Sequence, residues 1–480
     1  MKFPRIIQGG MGFAVSGWSL AQSVSRLGHL GVVSGAGLDL LLTRTLQWGD
    51  PGGHLRRALA HFPSQEIVRG VLARHFVPGG KREFEPFRRL PMWTASPSVA
   101  LQRLAVVANF VEVFLAKEGH AGLVGVNYLE KIQLPMLPSI YGAMLAGADY
   151  VLMGAGLPRE IPGVLDRFAA GDDAELALHV EGAVSGADYR VRFSPRAILG
   201  ANVPRLRRPQ FLAIVASNVL AALMAKNTTG RVDGFVIEGR SAGGHNAPPR
   251  GPLVLNAFGE PEYGPRNAVD VEAIRKLGLP FWMAGSFASE LRLREAEALG
   301  AAGIQVGTAF AFARESGITP ELKRAVIAAA QRGHVRVFTD PRASPTGFPF
   351  KVVPLAGTLS EPEVYAERPR RCDLGYLRHP YRKPDGGLGY RCPAEPVAEY
   401  VRKGGDAGET RGRKCLCNCL LANVGLAQLQ PGGYVEKPML TSGDDVGVIL
   451  RVLAPGAETY AAQDVVRHLT TPAGAGSAEA

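Results

Sequence analysis

Cysteine is scarce in this chain: none precedes Cys372, and all five lie between Cys372 and Cys419. So few thiols suit a reducing compartment, where they stay unpaired. No apolar run approaches the ~18 residues of a membrane span. The opening MKFPRIIQGG enters an apolar segment at once, without the charged, apolar and small-residue regions of a secretory leader. A cytoplasmic protein with no membrane partner is the expectation. A long basic run is missing too. The net charge is +11, but the excess comes in scattered pairs: Arg56–Arg57, Arg88–Arg89, Arg207–Arg208 and Arg370–Arg371. Without a basic stripe or an aromatic-interleaved module, no nucleic acid is expected as a partner. A diffuse basic surface can instead attract an acidic cofactor, an acyl carrier or a coenzyme A thioester. Internal repeats and coiled-coil heptads are also absent.

Glycine is plentiful, at 59 residues, and 46% of the chain is hydrophobic, so the glycines mark tight loops around an ample core. Eight short apolar segments recur: Arg5–Gly9, Leu30–Gly35, Gly122–Asn127, Asp149–Gly154, Phe211–Ser217, Gly234–Gly239, Pro280–Gly285 and Gly303–Thr308. Their near-continuous hydrophobicity is that of strands covered on both faces, as in parallel sheets. Helical patterns such as SLAQSVSRLG and SELRLREAEALGAAG lie between them. Eight strands alternating with helices predict a (β/α)₈ barrel; a doubly wound sheet is the alternative, with usually fewer strands.

The barrel is expected over 1–317, with a helical insertion at about 50–118 after strand two and a hairpin at about 176–196 after strand four. A cysteine-containing extension, 318–470, should pack on the barrel, and the Ala/Gly/Ser-rich 471–480 should be a disordered tail.

Barrel chemistry sits where strands end, and phosphate commonly binds after strands seven and eight. Strand one exits into Gln8-Gly9-Gly10-Met11-Gly12, strand two into Ser34-Gly35-Ala36-Gly37 and strand three at Asn127. Strand six exits into EGRSAGGHNAPPRG (Glu238–Gly251), strand seven at Ala284-Gly285-Ser286, and strand eight at Gly307-Thr308. Glycine at these points lets a flat, phosphorylated ligand approach backbone N–H groups. His245 is the residue a plain turn would not need, although a loop histidine satisfied by backbone is the simpler alternative. For Ser34–Gly37 a structural turn competes with a cofactor contact. Tyr128 fits the core as well as the active site. Asp149 and Asp233 precede strands and belong to the opposite barrel face.

Together, QGGMG (Gln8–Gly12), AGGH (Ala242–His245), MAGS (Met283–Ser286) and QVGTAF (Gln305–Phe310), in this order, resemble the nitronate monooxygenase family, formerly called 2-nitropropane dioxygenase. The resemblance spans about Pro4 to Gly317 and implies an FMN-dependent barrel enzyme. It implies that Gly9, Gly10 and Met11 present backbone to the flavin ring, and that Asn127 bonds the ring or ribityl region. Glu238 would contact the ribityl chain, and Ala242, Gly243 and Gly244 would pass close to the cofactor. Gly285, Ser286, Gly307 and Thr308 would hold its phosphate, and His245 would be the catalytic residue.

The chain departs from the family in two places. Ser286 takes the second of two customary glycines, and NAPPRGPL follows His245. The second departure resembles the flavin enoyl reductases associated with polyketide and polyunsaturated fatty acid synthases. Two reactions are therefore implied. One is oxidation of a nitronate with O₂, in which His245 acts as base or as cation. The other is reduction of an enoyl thioester by a nicotinamide nucleotide, with an acyl carrier or synthase as partner.

The run KCLCNCLL invites a metal reading. CxCxC is not a usual zinc spacing, however, and Cys372 and Cys392 lack CxxC partners, so Cys372, Cys392, Cys415, Cys417 and Cys419 are read as buried thiols with no metal. The extension would then cap the barrel or form a homodimer surface.

Overall fold

The computed structural model describes residues 3–472. The eight apolar segments form β1 (Ile6–Gln8), β2 (Gly31–Ser34), β3 (Val124–Leu129), β4 (Tyr150–Gly154), β5 (Gln210–Val215), β6 (Gly234–Glu238), β7 (Phe281–Ala284) and β8 (Gly303–Val306). They join in one parallel sheet, in the order β1-β8-β7-β6-β5-β4-β3-β2. A parallel bridge from Ile7 to Leu30 brings its ends together, with Gln8 N–H donating to Leu30 O at 2.9 Å. The sheet is a barrel.

The near-continuous hydrophobicity of these strands has two destinations. One set of side chains, including Ile7, Val32, Leu152, Leu212, Val236 and Trp282, fills the barrel interior. Their neighbours, among them Ile6, Val33, Val126 and Val151, pack in the larger core that includes the surrounding helices. Trp282 is accommodated inside because its indole N–H reaches Pro4 O at 2.7 Å. At the N-terminal strand ends, Asp149 pairs with Lys117 at 2.5 Å and with Arg207, and Asp233 pairs with Arg208 at 2.6 Å. Both carboxylates tie helix-to-strand loops.

One expectation needs correcting. Helix Val99–Lys117 has 19 residues and a mean hydropathy of 1.7, which by length and composition is enough to cross a membrane. Polar positions break the apolar run in sequence, yet Asn109 and Glu112 are buried and bonded, Asn109 to Ala105 O at 2.9 Å and Glu112 to Trp18 N–H at 2.7 Å. The helix packs against Trp18–Arg26, Leu38–Gln47 and Met136–Leu145, so its apolar surface meets protein. After β4, Ala174–Ala177 and Arg190–Phe193 pair as the antiparallel hairpin that the pattern indicated.

The segment after β8 does not simply trail from the barrel. It makes hairpins Phe338–Asp340/Phe350–Val352 and His379–Arg382/Leu388–Arg391, and helix Leu416–Ala422. It then ends in helix Ala462–Thr470, which packs against both Trp18–Arg26 and Glu290–Ala298. Those two helices follow β1 and β7, so the last helix fills the eighth place in the ring. Of the tail expected over 471–480, residues 473–480 lie outside the described residues.

All five cysteines are free, and Cys372, Cys392, Cys415 and Cys417 line a small cavity of about 10 Å³. Among the described residues no group of three or more His, Cys, Asp or Glu is arranged to hold a metal ion.

Candidate functional site

At the C-terminal ends of the strands lies a cavity of about 210 Å³. Every site residue named from the sequence lines it: Gly9, Gly10, Met11, Asn127, Glu238, Ala242, Gly243, Gly244, His245, Gly285, Ser286, Gly307 and Thr308.

The β1 exit is pinned from below. Fully buried Gln8 accepts from Val32 N–H at 3.0 Å and donates to Ser16 Oγ at 2.9 Å. Ser16 Oγ also accepts from Met11 N–H at 3.0 Å and donates to Gly9 O at 2.9 Å. This small network holds the glycine loop against the cavity. Gly10 is obligatory, because a Cβ there would lie 2.4 Å from Asn127 Cβ. Asn127 donates weakly to Gly10 O at 3.3 Å, and its buried Oδ1 has no partner in the protein. A buried acceptor left open in this way is costly unless a ligand donor meets it. Glu238, at the end of β6, has its carboxyl pushed up to about 7 by burial.

The loop after β6 is held by residues far away in sequence. Gly244, at φ 77°, donates to Thr441 Oγ1 at 2.9 Å, and Gly244 O accepts from Lys351 N–H at 2.9 Å. His245 forms an antiparallel bridge with Phe350 and lies edge-on to that ring at 4.9 Å. Its Nε2 is 2.7 Å from Ser344 Oγ. Burial holds the imidazole down at about 4, so it is uncharged at neutral pH. Burial therefore works against the cationic role left open by the sequence.

At the far end, Gly285 and Ser286 both have positive φ, 88° and 58°. Thr308 opens the short helix Thr308–Ala311, and its Oγ1 accepts from Gly443 N–H at 2.9 Å. Its own hydrogen remains free to donate. Tyr128 serves in both of its expected places. It lines the cavity, while its hydroxyl donates to Asn109 Oδ1 at 2.9 Å in the core. Ser34 also lines the cavity, but its hydroxyl is tied to Gly12 O.

The sequence led to an extension packed on the barrel as one expectation, but none of its lining residues was named. Phe350, Leu377, Leu416, Leu420, Leu440, Thr441, Ser442, Gly443 and Asp445, all from the segment after β8, line the same cavity. Only the Thr-Ser-Gly-Asp order at 441–444 resembles the other ligand loops, and alone it is too common to single out. Among the lining residues the only carboxylates are Glu238 and Asp445, and there is no Lys or Arg.

The residues fit FMN. Glycine exits expose backbone where a flat ring and a phosphate would lie, hydroxyls stand at Ser286 and Thr308, and Asn127 Oδ1 offers an open acceptor for a ring N–H.

Residues 201–340, from just before β5 into the first hairpin after β8, match the family model described as nitronate monooxygenase. No curated protein matches the chain. Among solved structures it is similar to FabK from Thermotoga maritima, with 15% identity and a TM-score of 0.48, over 98% of this chain and 92% of that one. It is also similar to a nitroalkane oxidase from Streptomyces ansochromogenes, with 16% identity and a TM-score of 0.42, over 98% and 95%. A third is the enoyl reductase domain of MlnA from Bacillus amyloliquefaciens, with 10% identity and a TM-score of 0.47, over 97% and 93%.

Proposed function

On the premise that residues 201–340 are of the nitronate monooxygenase family, we propose that this protein is an FMN-dependent oxidoreductase that converts a nitronate and O₂ to a carbonyl compound and nitrite. The observation that carries the reading is the convergence of four glycine strand exits, Asn127 and His245 on one cavity. FMN, when bound, supplies the electron-accepting ring. Gly9, Gly10, Met11 and Asn127 would face that ring, Glu238 the ribityl chain, and Gly285, Ser286, Gly307 and Thr308 the phosphate.

The substrate would lie against the apolar roof of Phe350, Leu377 and Leu416, which would limit the access of water. His245, neutral and wedged against Phe350, offers a hydrogen bond to a substrate oxygen. Glu238, at about 7, exchanges a proton near neutrality and can donate as well as accept.

One observation favours the second reading, an FMN-dependent NAD(P)H enoyl-thioester reductase acting with a synthase or acyl carrier. An anionic nitronate meets no lining Lys or Arg, whereas a neutral enoyl thioester needs none.

One anaerobic experiment separates the readings. The purified protein should be yellow with FMN, and alkyl nitronate should bleach it while NADH and NADPH do not. Fast bleaching by a nicotinamide nucleotide selects the reductase, and a colourless protein that does not take up FMN removes both. His245→Ala should keep the flavin and lose most turnover; unchanged turnover would refute its assigned place.

A further inference from the structure

We propose that Ser344, supplied by the segment after β8, is a positioning residue that fixes His245 as the neutral tautomer protonated on Nδ1. The imidazole then presents a hydrogen-bond donor to the substrate oxygen. This inference rests on the reading of the cavity as a substrate site.

Ser344 is completely buried, and its hydroxyl has three neighbours. Thr346 N–H donates to its Oγ at 3.2 Å, Thr346 Oγ1 lies at 2.8 Å, and His245 Nε2 lies at 2.7 Å. A hydroxyl has one hydrogen and two acceptor positions. One position is filled by the Thr346 backbone. Thr346 Oγ1 itself accepts from Phe348 N–H at 3.4 Å, and among the described residues Ser344 is the only side chain or carbonyl placed to take its hydrogen.

If Thr346 O–H donates to Ser344, both acceptor positions of Ser344 are used. The Ser344 hydrogen must then go to His245 Nε2. That nitrogen is therefore the bare one, and the imidazole proton sits on Nδ1. The opposite arrangement turns the Ser344 hydrogen onto Thr346 and gives the hydrogen of half-buried Thr346 to solvent instead of to the buried Ser344–His245 pair. Nδ1 has no hydrogen bond of its own in the protein, and His245 lines the cavity.

The geometry is held from several sides. Asn246 N–H bonds Pro349 O at 2.9 Å, Arg413 holds Ser344 O at 2.5 Å, and Phe350 and Phe348 stand edge-on to the imidazole at 4.9 and 6.5 Å. Ring rotation would break the Nε2 contact. Burial keeps the ring neutral, which is consistent with a donor and makes it a weak base.

The test is nitrogen NMR of protein carrying ¹⁵N-labelled histidine, with the His245 signals identified by their loss in His245→Ala. The wild-type spectrum should show a bare Nε2 and a protonated Nδ1. Ser344→Ala should yield a tautomer mixture and lower turnover about tenfold, the rate equivalent of one lost hydrogen bond, with FMN content unchanged. Ser344→Thr, which keeps the hydroxyl, should restore both. A wild-type Nε2–H tautomer, or a tautomer untouched by Ser344→Ala, overturns the proposal. The wild-type spectrum decides the first point even if the alanine variant does not fold. Since the NMR needs no substrate, the expected tautomer without nitronate or nicotinamide turnover would fault the assigned reaction and leave Ser344's role standing.

Discussion

Ser286 occupies a left-handed backbone position, φ 58°, where L side chains crowd their own carbonyl. Such a position favours glycine and gives the serine a measurable cost. Ser286→Gly should raise stability in urea by about 1 kcal/mol. If the hydroxyl bonds the phosphate, the same change should weaken FMN affinity about tenfold, read from flavin fluorescence on titration. Gly10 makes the converse case. Gly10→Ala would place a methyl 2.4 Å from Asn127 Cβ, whereas a Cβ at Gly9 finds nothing nearer than 3.6 Å. The first variant should be purified largely without flavin by displacing Asn127. The second should fold as wild type, and any flavin it loses reports the ring lying against that backbone.

The strands were legible because each is a short apolar run, most with a glycine at or near the exit, and both signals act within a few residues. The hairpin after β4 was legible for the same reason. The segment after β8 was not, because its organising contacts are remote. Arg368 and Glu436 form a bidentate pair at 2.7 Å with both side chains fully buried. Removing one partner leaves a charge in the interior. Arg368→Met should therefore destabilise by about 3–5 kcal/mol in urea unfolding. Because the same segment roofs the cavity, flavin should dissociate faster from that variant. The closing helix Ala462–Thr470 reads as an ordinary amphipathic helix, and nothing local ties it to a ring that β1 began.

At the scale of the whole molecule, two buried groups titrate in opposite senses. Burial raises Glu112 to about 7 from a reference of 4.5. Its contribution to stability is complete below pH 4.5 and is lost as pH rises through 7. Burial lowers His75 to about 4 from 6.5, so its contribution is complete above pH 6.5 and is lost as pH falls through 4. Glu112→Gln keeps an acceptor for Trp18 N–H. It should match wild type near pH 4.5 and exceed it by about 3 kcal/mol at pH 8, as urea midpoints across pH would show. A parallel pH dependence in the two proteins would refute the assignment.

Residue order alone determined the eight strands, their glycine exits and the placing of His245 at the end of β6, since burial pattern and backbone freedom are local properties. The tertiary structure decided what surrounds that histidine. Ser344 is 99 residues from His245, and Thr441 is 197 from Gly244. No periodicity couples positions so far apart. They meet only because the segment after β8 folds back over the strand ends before its last helix completes the ring, and that return path gives the cavity its roof and the imidazole its partner.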